Sequence, residues 1–137
     1  MSGGVYVWKD GREVPDTMSV SLEQHEDMLI TWDSGFGNDH LRVMEEVLGT
    51  EGTISRGQQI RYTPQKVNRP DGVEILGRAP TVPNAHMSNF FDCMRSGRET
   101  NCPFELGYRV SIACRMAVES YRQRRTVRWD PQKEEIV

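Results

Sequence analysis

The sequence has little cysteine, no long apolar run and no excess of basic side chains. Its three cysteines, Cys93, Cys102 and Cys114, fit no CxxC or zinc-ligand spacing, which disfavours a disulfide framework and a structural zinc site. No stretch approaches the roughly 18 apolar residues of a membrane-spanning helix. The formal charge is -3, from 17 Lys and Arg against 20 Asp and Glu, and a nucleic-acid-binding domain is normally basic. We therefore expect neither a membrane nor nucleic acid as a partner.

The beginning of the sequence also lacks a targeting signal. Residues 1–4 read Met-Ser-Gly-Gly, without the basic and apolar regions of a signal peptide. Cysteines that form no framework suit a reducing compartment, so the expected location is the cytoplasm. A chain of 137 residues is long enough for a single domain with one hydrophobic core, and we take residues 1–137 as that domain.

Hydrophobic periodicity predicts strands in the first two thirds of the chain and helices after them. Two helices are predicted at 85–96 and 105–123, because apolar side chains recur there at helical spacing. Asn84 is the expected N-cap of the first helix and Gly97 its C-terminal stop. β-branched, aromatic or alternating segments predict strands at 5–9, 17–23, 28–32, 42–48, 53–55, 59–63, 73–76 and 126–129. Asp10-Gly11, directly after the first of these, is typical of a hairpin turn.

These elements predict an α+β fold. We expect an open antiparallel or mixed sheet of six to eight strands, with the two helices packed on one face. The segment 28–32, Met-Leu-Ile-Thr-Trp, is largely apolar on both faces of its strand. An exposed apolar patch usually marks an association surface, so Met28, Ile30 and Trp32 are candidate interface residues. A loop of the same domain, at 64–83, is an equally good candidate to cover them.

Residue patterns for chemistry are weak. The histidines at 25, 40 and 86 show no metal-ligand spacing, and no Gly-x-Ser-x-Gly motif occurs. Gly35-Phe36-Gly37 lacks the third glycine and the following helix of a dinucleotide loop. The arginines near 122–125 suit the C-terminal end of a helix, where cations complement the dipole. We therefore assign no catalytic, cofactor-binding or metal-binding residue to this chain.

Three segments resemble a known family. They are the run from Trp8 to Thr17 (Trp-Lys-Asp-Gly-Arg-Glu-Val-Pro-Asp-Thr), the hairpin from Leu48 to Ile54 (Leu-Gly-Thr-Glu-Gly-Thr-Ile), and the helix from His86 to Gly97 with its Asn89-Phe90 and Arg95-Ser96-Gly97. The long second helix and Arg125-Thr126-Val127 follow the last of them. Together they are similar to the C-terminal domain of the Gfo/Idh/MocA oxidoreductases, the relatives of glucose–fructose oxidoreductase and inositol dehydrogenase.

The resemblance implies a two-domain parent. In that family an N-terminal Rossmann domain binds NAD or NADP, and a C-terminal α+β domain supplies an open sheet that pairs subunits and walls the substrate pocket. The substrate is usually a sugar or cyclitol hydroxyl compound. The Rossmann fingerprint and the Glu-Lys-Pro lysine of the family belong N-terminal to this sequence and do not occur in it. The chain alone is thus expected to be inactive and free of cofactor.

Two functions fit these expectations. The first is the substrate-pocket and oligomerisation domain of an NAD(P)-dependent oxidoreductase, which works as a homo-oligomer and together with its own Rossmann domain. Trp8, Lys9 and Arg12, nearest in sequence to the absent catalytic helix, are then candidates to face the substrate. The second is a free-standing binding or assembly module that shares the sheet and has no enzyme activity.

Overall fold

The first part of the chain contains a long antiparallel hairpin. The computed structural model describes residues 1–39, 43–65, 72, 74–78 and 84–137. Strand β1 (Ser2–Gly4) pairs with β2 (Thr17–Gln24), and β2 pairs along its whole length with β3 (Met28–Gly35). The order is β1-β2-β3. The strands form here because apolar and polar residues alternate along β2, which suits one buried and one solvated face.

The predicted strand at 5–9 is wrong. Residues 5–16 form a loop between β1 and β2, although Gly11 does take the positive φ expected of a turn glycine, 88°. The backbone N–H groups of residues 6–8 donate to the side chain of Asp16 and are not available to a neighbouring strand. The local β propensity of Val5 to Lys9 is therefore overruled by a tertiary hydrogen-bond acceptor.

A second antiparallel sheet follows. It contains β4 (Glu45–Leu48), β5 (Gly52–Arg56), β6 (Gln59–Pro64) and β7 (Glu74–Arg78), in that order. The turn between β4 and β5 is closed by the Gly49 N–H, which donates to the carbonyl of Gly52 at 2.8 Å. The starts predicted for two of these strands, Arg42 and Val73, lie outside the described residues, and so does most of the loop at 64–83 that was a candidate to cover Met28, Ile30 and Trp32.

Both predicted helices are confirmed within one residue. Helix α1 (Ala85–Ser96) begins after Asn84, whose carbonyl accepts the N–H of Ser88 at 2.9 Å. It ends before Gly97, which has φ 67°, the left-handed conformation that glycine tolerates without a Cβ penalty. Helix α2 (Phe104–Gln123) follows. No helix of the described residues is long and apolar enough to cross a membrane.

The closing strand begins later than predicted. The structure has a short antiparallel pair, β8 (Trp129–Asp130) and β9 (Glu135–Ile136). Reciprocal backbone hydrogen bonds between Arg128 and Val137, at 2.8 and 2.9 Å, extend it. The sequence prediction of 126–129 missed the offset because the partner strand is only two residues long.

Helix α2 ends at Arg124, a residue other than glycine whose backbone is in a strained conformation. Arg124 occupies the left-handed region at φ 53° and ψ 39°, and its N–H donates to the carbonyl of Ser120. The Ser120 hydroxyl donates in turn to the carbonyl of Arg125 at 2.8 Å. The geometry is that of a helix C-terminus at which glycine is the usual residue.

Replacing Arg124 with glycine is expected to stabilise the fold. Arg124→Gly removes a Cβ from a left-handed residue, a gain partly offset by the greater entropy of glycine in the unfolded chain. The expected net gain is about 0.5–1 kcal/mol in the free energy of unfolding. Urea titration measures it, with Arg115→Gly in the middle of α2 as the control that should destabilise. A loss of stability in Arg124→Gly would contradict this account of the cap.

The α+β class is confirmed, with a different distribution of strands. The described residues place nine strands in antiparallel sheets of three, four and two strands, where one sheet was predicted. The chain divides into two compact units, Met1–Asn38 with Asn89–Val137, and Asp39–Ser88. The apolar stripe of α1 (Met87, Phe90, Phe91 and Met94) is 44–65% exposed. Packing of the helices on a sheet face therefore stays a prediction.

Candidate functional site

The register of the hairpin places most of the apolar residues of β2 and β3 on one face. Residues directly opposite in an antiparallel pair share a face. Val20 lies opposite Trp32, Leu22 opposite Ile30, and Gln24 opposite Met28. Together with Met18, these side chains form what we call the apolar face: Met18, Val20, Leu22, Met28, Ile30 and Trp32.

The described residues cover only part of the apolar face. Val20 is 4% exposed, whereas Met28, Ile30 and Trp32 are 50%, 41% and 56% exposed. These three, the interface candidates of the sequence, all lie on β3, which is the edge strand of its sheet in the described residues. A contiguous apolar patch that is exposed to water usually marks a binding surface.

The other face of the hairpin is mostly polar. It carries Ser19, Ser21, Thr31 and Asp33, with Leu29 as its large apolar side chain. Leu29 is 61% exposed, so it resembles Trp32 in exposure but is surrounded by polar neighbours. This difference makes Leu29 a natural control position for any test of the apolar face.

A buried carboxylate anchors the loop that precedes β2. Asp16 is 1% exposed. Its two oxygens accept the backbone N–H groups of Tyr6, Val7 and Trp8 at 3.0, 2.9 and 2.9 Å, and the Thr17 hydroxyl at 3.0 Å. A buried carboxylate is tolerated where its lone pairs are satisfied in this way. Asp16 therefore fixes the path of the backbone through residues 6–8.

The same contacts determine the ionisation of Asp16. Burial by itself raises the pKa of this carboxyl, but the N–H groups of Trp8, Tyr6 and Val7 outweigh burial and hold the pKa well below its usual range. The neighbouring exposed Asp10 also has a lowered pKa, about 2, chiefly because its side chain accepts hydrogen bonds from Arg12. Both groups are therefore carboxylates at neutral pH.

The anchored loop displays two of the three predicted substrate-facing residues as a pair. The Arg12 guanidinium carbon lies 4.8 Å from the centroid of the Trp8 ring, a cation–π distance. Arg12 also forms two hydrogen bonds to Asp10, at 2.8 and 2.5 Å, and the Phe36 ring lies 6.4 Å from that of Trp8. Lys9 does not join them, since its ammonium donates to the carbonyl of Val5.

Residues of the family-like segment on α1 have structural partners. The Asn89 side chain accepts the Asn101 N–H at 2.9 Å and donates to the Cys93 sulfur at 3.5 Å. Cys93 is buried, and its thiol donates to the carbonyl of Glu99 at 3.2 Å. The three cysteines are all unpaired. Asn89 and Cys93 thus hold the connection from α1 to α2 against the end of α1.

Removal of the Asn89 amide should loosen this connection. Asn89→Ala leaves the Asn101 N–H without its side-chain acceptor, which is expected to lower the free energy of unfolding by about 1 kcal/mol. Chemical denaturation measures the effect. Ser88→Ala, one residue earlier on α1, is the matched control and should change stability by less than about 0.5 kcal/mol. Equal effects of the two variants would refute the assigned role.

The histidines and the segment Gly35-Phe36-Gly37 are the other residues considered for chemistry. No group of three or more potential metal ligands occurs among the described residues. His25 is exposed and lies 3.1 Å from Glu26, His86 is exposed on α1, and His40 lies outside the described residues. At Gly37 an added Cβ would lie 2.8 Å from a methyl group of Val7, so Val7 packs closely against this glycine.

The sequence predicted the apolar residues of the hairpin and missed the role of Asp16. Alternation along 17–23 and the apolar run at 28–32 indicated the apolar residues, whose role as an interface stays a prediction. The carboxylate accepts from residues eight to ten positions earlier, a separation that no helix, strand or standard turn produces. The one local signal is an Asp-Thr pair directly before a strand, which is typical of side-chain capping.

Comparison with protein-family models, curated proteins and solved structures finds no match.

Proposed function

We propose that this chain is the C-terminal substrate-pocket and oligomerisation domain of an NAD(P)-dependent oxidoreductase. The parent would act on a sugar- or cyclitol-like hydroxyl compound. The observation that carries the assembly role is the apolar face, on which Met28, Ile30 and Trp32 are 41–56% exposed on an edge strand. The occupant of that face would be a second copy of the chain.

The oxidoreductase part of the proposal depends on the family-like segments. The nicotinamide cofactor would belong to an N-terminal Rossmann domain of the parent, because the Rossmann glycine fingerprint does not occur in this sequence. This chain would contribute a wall of the pocket through the loop at 5–16. Trp8 offers an apolar ring surface of the kind on which sugar rings pack, and Arg12 offers N–H donors for hydroxyl oxygens. Asp16 would position Trp8 through its backbone N–H without touching the substrate.

The size of the native polypeptide tests the enzymatic part. An immunoblot of cell lysate, with antibody raised against this chain, should give a band at roughly 40–50 kDa, the size after addition of a Rossmann domain. A band at the 15.7 kDa of the chain itself would overturn the oxidoreductase proposal. The apolar face would then favour the second candidate, a free-standing assembly module without enzyme activity.

A further inference from the structure

An open cleft lies between the end of α2 and strand β1. Its volume is about 690 Å³, within the range of pockets that hold small organic ligands. One wall is the segment 120–126 at the end of α2, and the other is formed by residues 1–3 and Tyr6. The Met1 nitrogen donates to Ser120 Oγ at 2.8 Å, so the two walls are in direct contact. We call this region the arginine cleft.

The charged side chains that line the arginine cleft are all positive. They are Arg122, Arg124 and Arg125, and no Asp or Glu lines the cleft. Arginine keeps its proton at any pH at which proteins are folded. The guanidinium groups of Arg122 and Arg124 have no hydrogen-bond or ion-pair partner among the described residues. That of Arg125 is oriented by Gln123 Oε1 at 2.7 Å. Two of the three cations are therefore available to a ligand.

The helix end balances only part of this charge. The free carbonyl groups at a helix C-terminus amount to about half a negative charge, against three guanidinium groups here. The Ser120 carbonyl already accepts the N–H groups of Arg124 and Arg125. Glu119, the nearest carboxylate in the sequence, lies 3.6 Å from Arg115 and accepts a hydrogen bond from the Gln123 amide. The helix end therefore leaves roughly two to three positive charges unbalanced.

The backbone of Arg124 is a second indication of a binding site. Its φ of 53° is one that glycine adopts freely and other residues adopt at a cost. Residues held in such conformations cluster at ligand-binding sites. Glycine would end the helix equally well but would bring no guanidinium group to the cleft. The strain at Arg124 thus accompanies the placement of a third cation beside the other two.

The wall opposite the arginines is held in place. The Tyr6 N–H donates to Asp16 at 3.0 Å, and the Tyr6 ring packs against Gly4, where an added Cβ would lie 2.7 Å from Tyr6 Cε1. Tyr6 is nevertheless 63% exposed. Tyr121, on α2, also lines the cleft. Two tyrosines therefore bring ring surface and hydroxyl groups to the same cleft as the arginines.

We infer that the arginine cleft binds a diphosphate group, as the free ion or as its ester. Guanidinium groups bind phosphate oxygens through paired, charge-assisted hydrogen bonds. A diphosphate carries roughly three negative charges near neutral pH, which matches the charge that the helix end leaves unbalanced. The volume of the cleft leaves room for an organic group on the ester, and the tyrosine rings offer it a surface.

The inferred site goes beyond the proposed function, because neither the apolar face nor Trp8 or Arg12 lines the cleft. A small anion fits better than a nucleic acid. The chain as a whole has a net charge of -3, and a long polyanion would meet that charge outside the cleft, whereas a domain that binds nucleic acid is normally basic.

Isothermal titration calorimetry of the full chain tests the site, with inorganic pyrophosphate, ADP and inorganic phosphate as probes. The two diphosphates are expected to bind with dissociation constants of roughly 10–100 µM, and phosphate at least about tenfold more weakly. Tighter binding of ADP than of pyrophosphate supports the ester, and equal binding supports the free ion. If neither diphosphate binds below about 1 mM, or if only an RNA oligonucleotide binds, the inference is wrong.

Substitutions then locate the binding. Arg122→Gln combined with Arg125→Gln should weaken pyrophosphate binding at least about tenfold. Arg124→Gly should weaken it about fivefold although the fold becomes more stable, a combination that a purely structural role of Arg124 would not produce. Arg115→Gln is the matched control, since it removes a cation from α2 outside the cleft, and should change binding less than about twofold. Equal weakening by the control and the double variant would overturn the inference.

Discussion

Trp32→Ser is expected to raise the dissociation constant of the dimer by about 100-fold. Large aromatic side chains at the centre of an interface cost about 2–4 kcal/mol when truncated, and every 1.4 kcal/mol is a factor of ten. The substitution occurs twice in a symmetric dimer. Because Trp32 is 56% exposed in the single chain, its removal should leave the fold of the protomer intact. Analytical ultracentrifugation over a range of concentrations measures the change.

Leu29→Ser is the matched control for this experiment. Leu29 is on the same strand and 61% exposed, but it lies on the polar face of the hairpin. Its replacement should change the dissociation constant by less than about threefold, since exposed positions outside an interface contribute little. If both variants weakened the dimer equally, the association would not use the apolar face.

Asp16→Ala is expected to lower the thermal midpoint by roughly 5–10 °C, the largest stability effect we predict for a single side chain. The substitution leaves three partly buried backbone N–H groups, those of residues 6–8, without their acceptor. Amide hydrogen exchange gives a local readout, because residues 6–8 should lose protection while the amides of β2 keep theirs. Asp33→Ala, an exposed carboxylate on β3, is the control and should leave both measurements unchanged.

The pH dependence follows from the lowered pKa of Asp16. In the unfolded chain the Asp16 carboxyl loses its proton near pH 4. In the folded chain it loses the proton at a lower pH, so the ionised carboxylate stabilises the folded state. The stabilisation is therefore present in full above about pH 5 and is lost as the pH falls below about 4. The difference in thermal midpoint between the natural chain and Asp16→Asn should shrink between pH 5 and pH 2.5. A difference that stays constant over this range would contradict the assigned ionisation.

The helices and the main hairpin could be predicted from sequence because their signals are local. Apolar spacing located α1 and α2 within one residue, and Gly97 marked the end of α1. Alternation located β2 and the apolar residues of β3, so Met28, Ile30 and Trp32 could be selected before the register was known. These patterns depend only on neighbours a few positions away.

The remaining differences come from long-range contacts. Val5 to Lys9 have a strong strand propensity, but Asp16 captures their N–H groups. Strand pairing also escaped prediction, because alternation reports that a segment is extended and does not identify its partner. The nine strands consequently form three sheets in the described residues, not one. Trp8 and Arg12 were selected because of their positions in the sequence. Those positions do not indicate that the two side chains stack.

The central claim is that the apolar face pairs two copies of this chain, and its molar mass in solution tests that claim most directly. Sedimentation equilibrium of the natural chain at concentrations up to about 100 µM should approach twice the chain mass of 15.7 kDa, while Trp32→Ser should remain near 15.7 kDa over the same range. A natural chain that stays at the monomer mass throughout, indistinguishable from Trp32→Ser, would contradict the account.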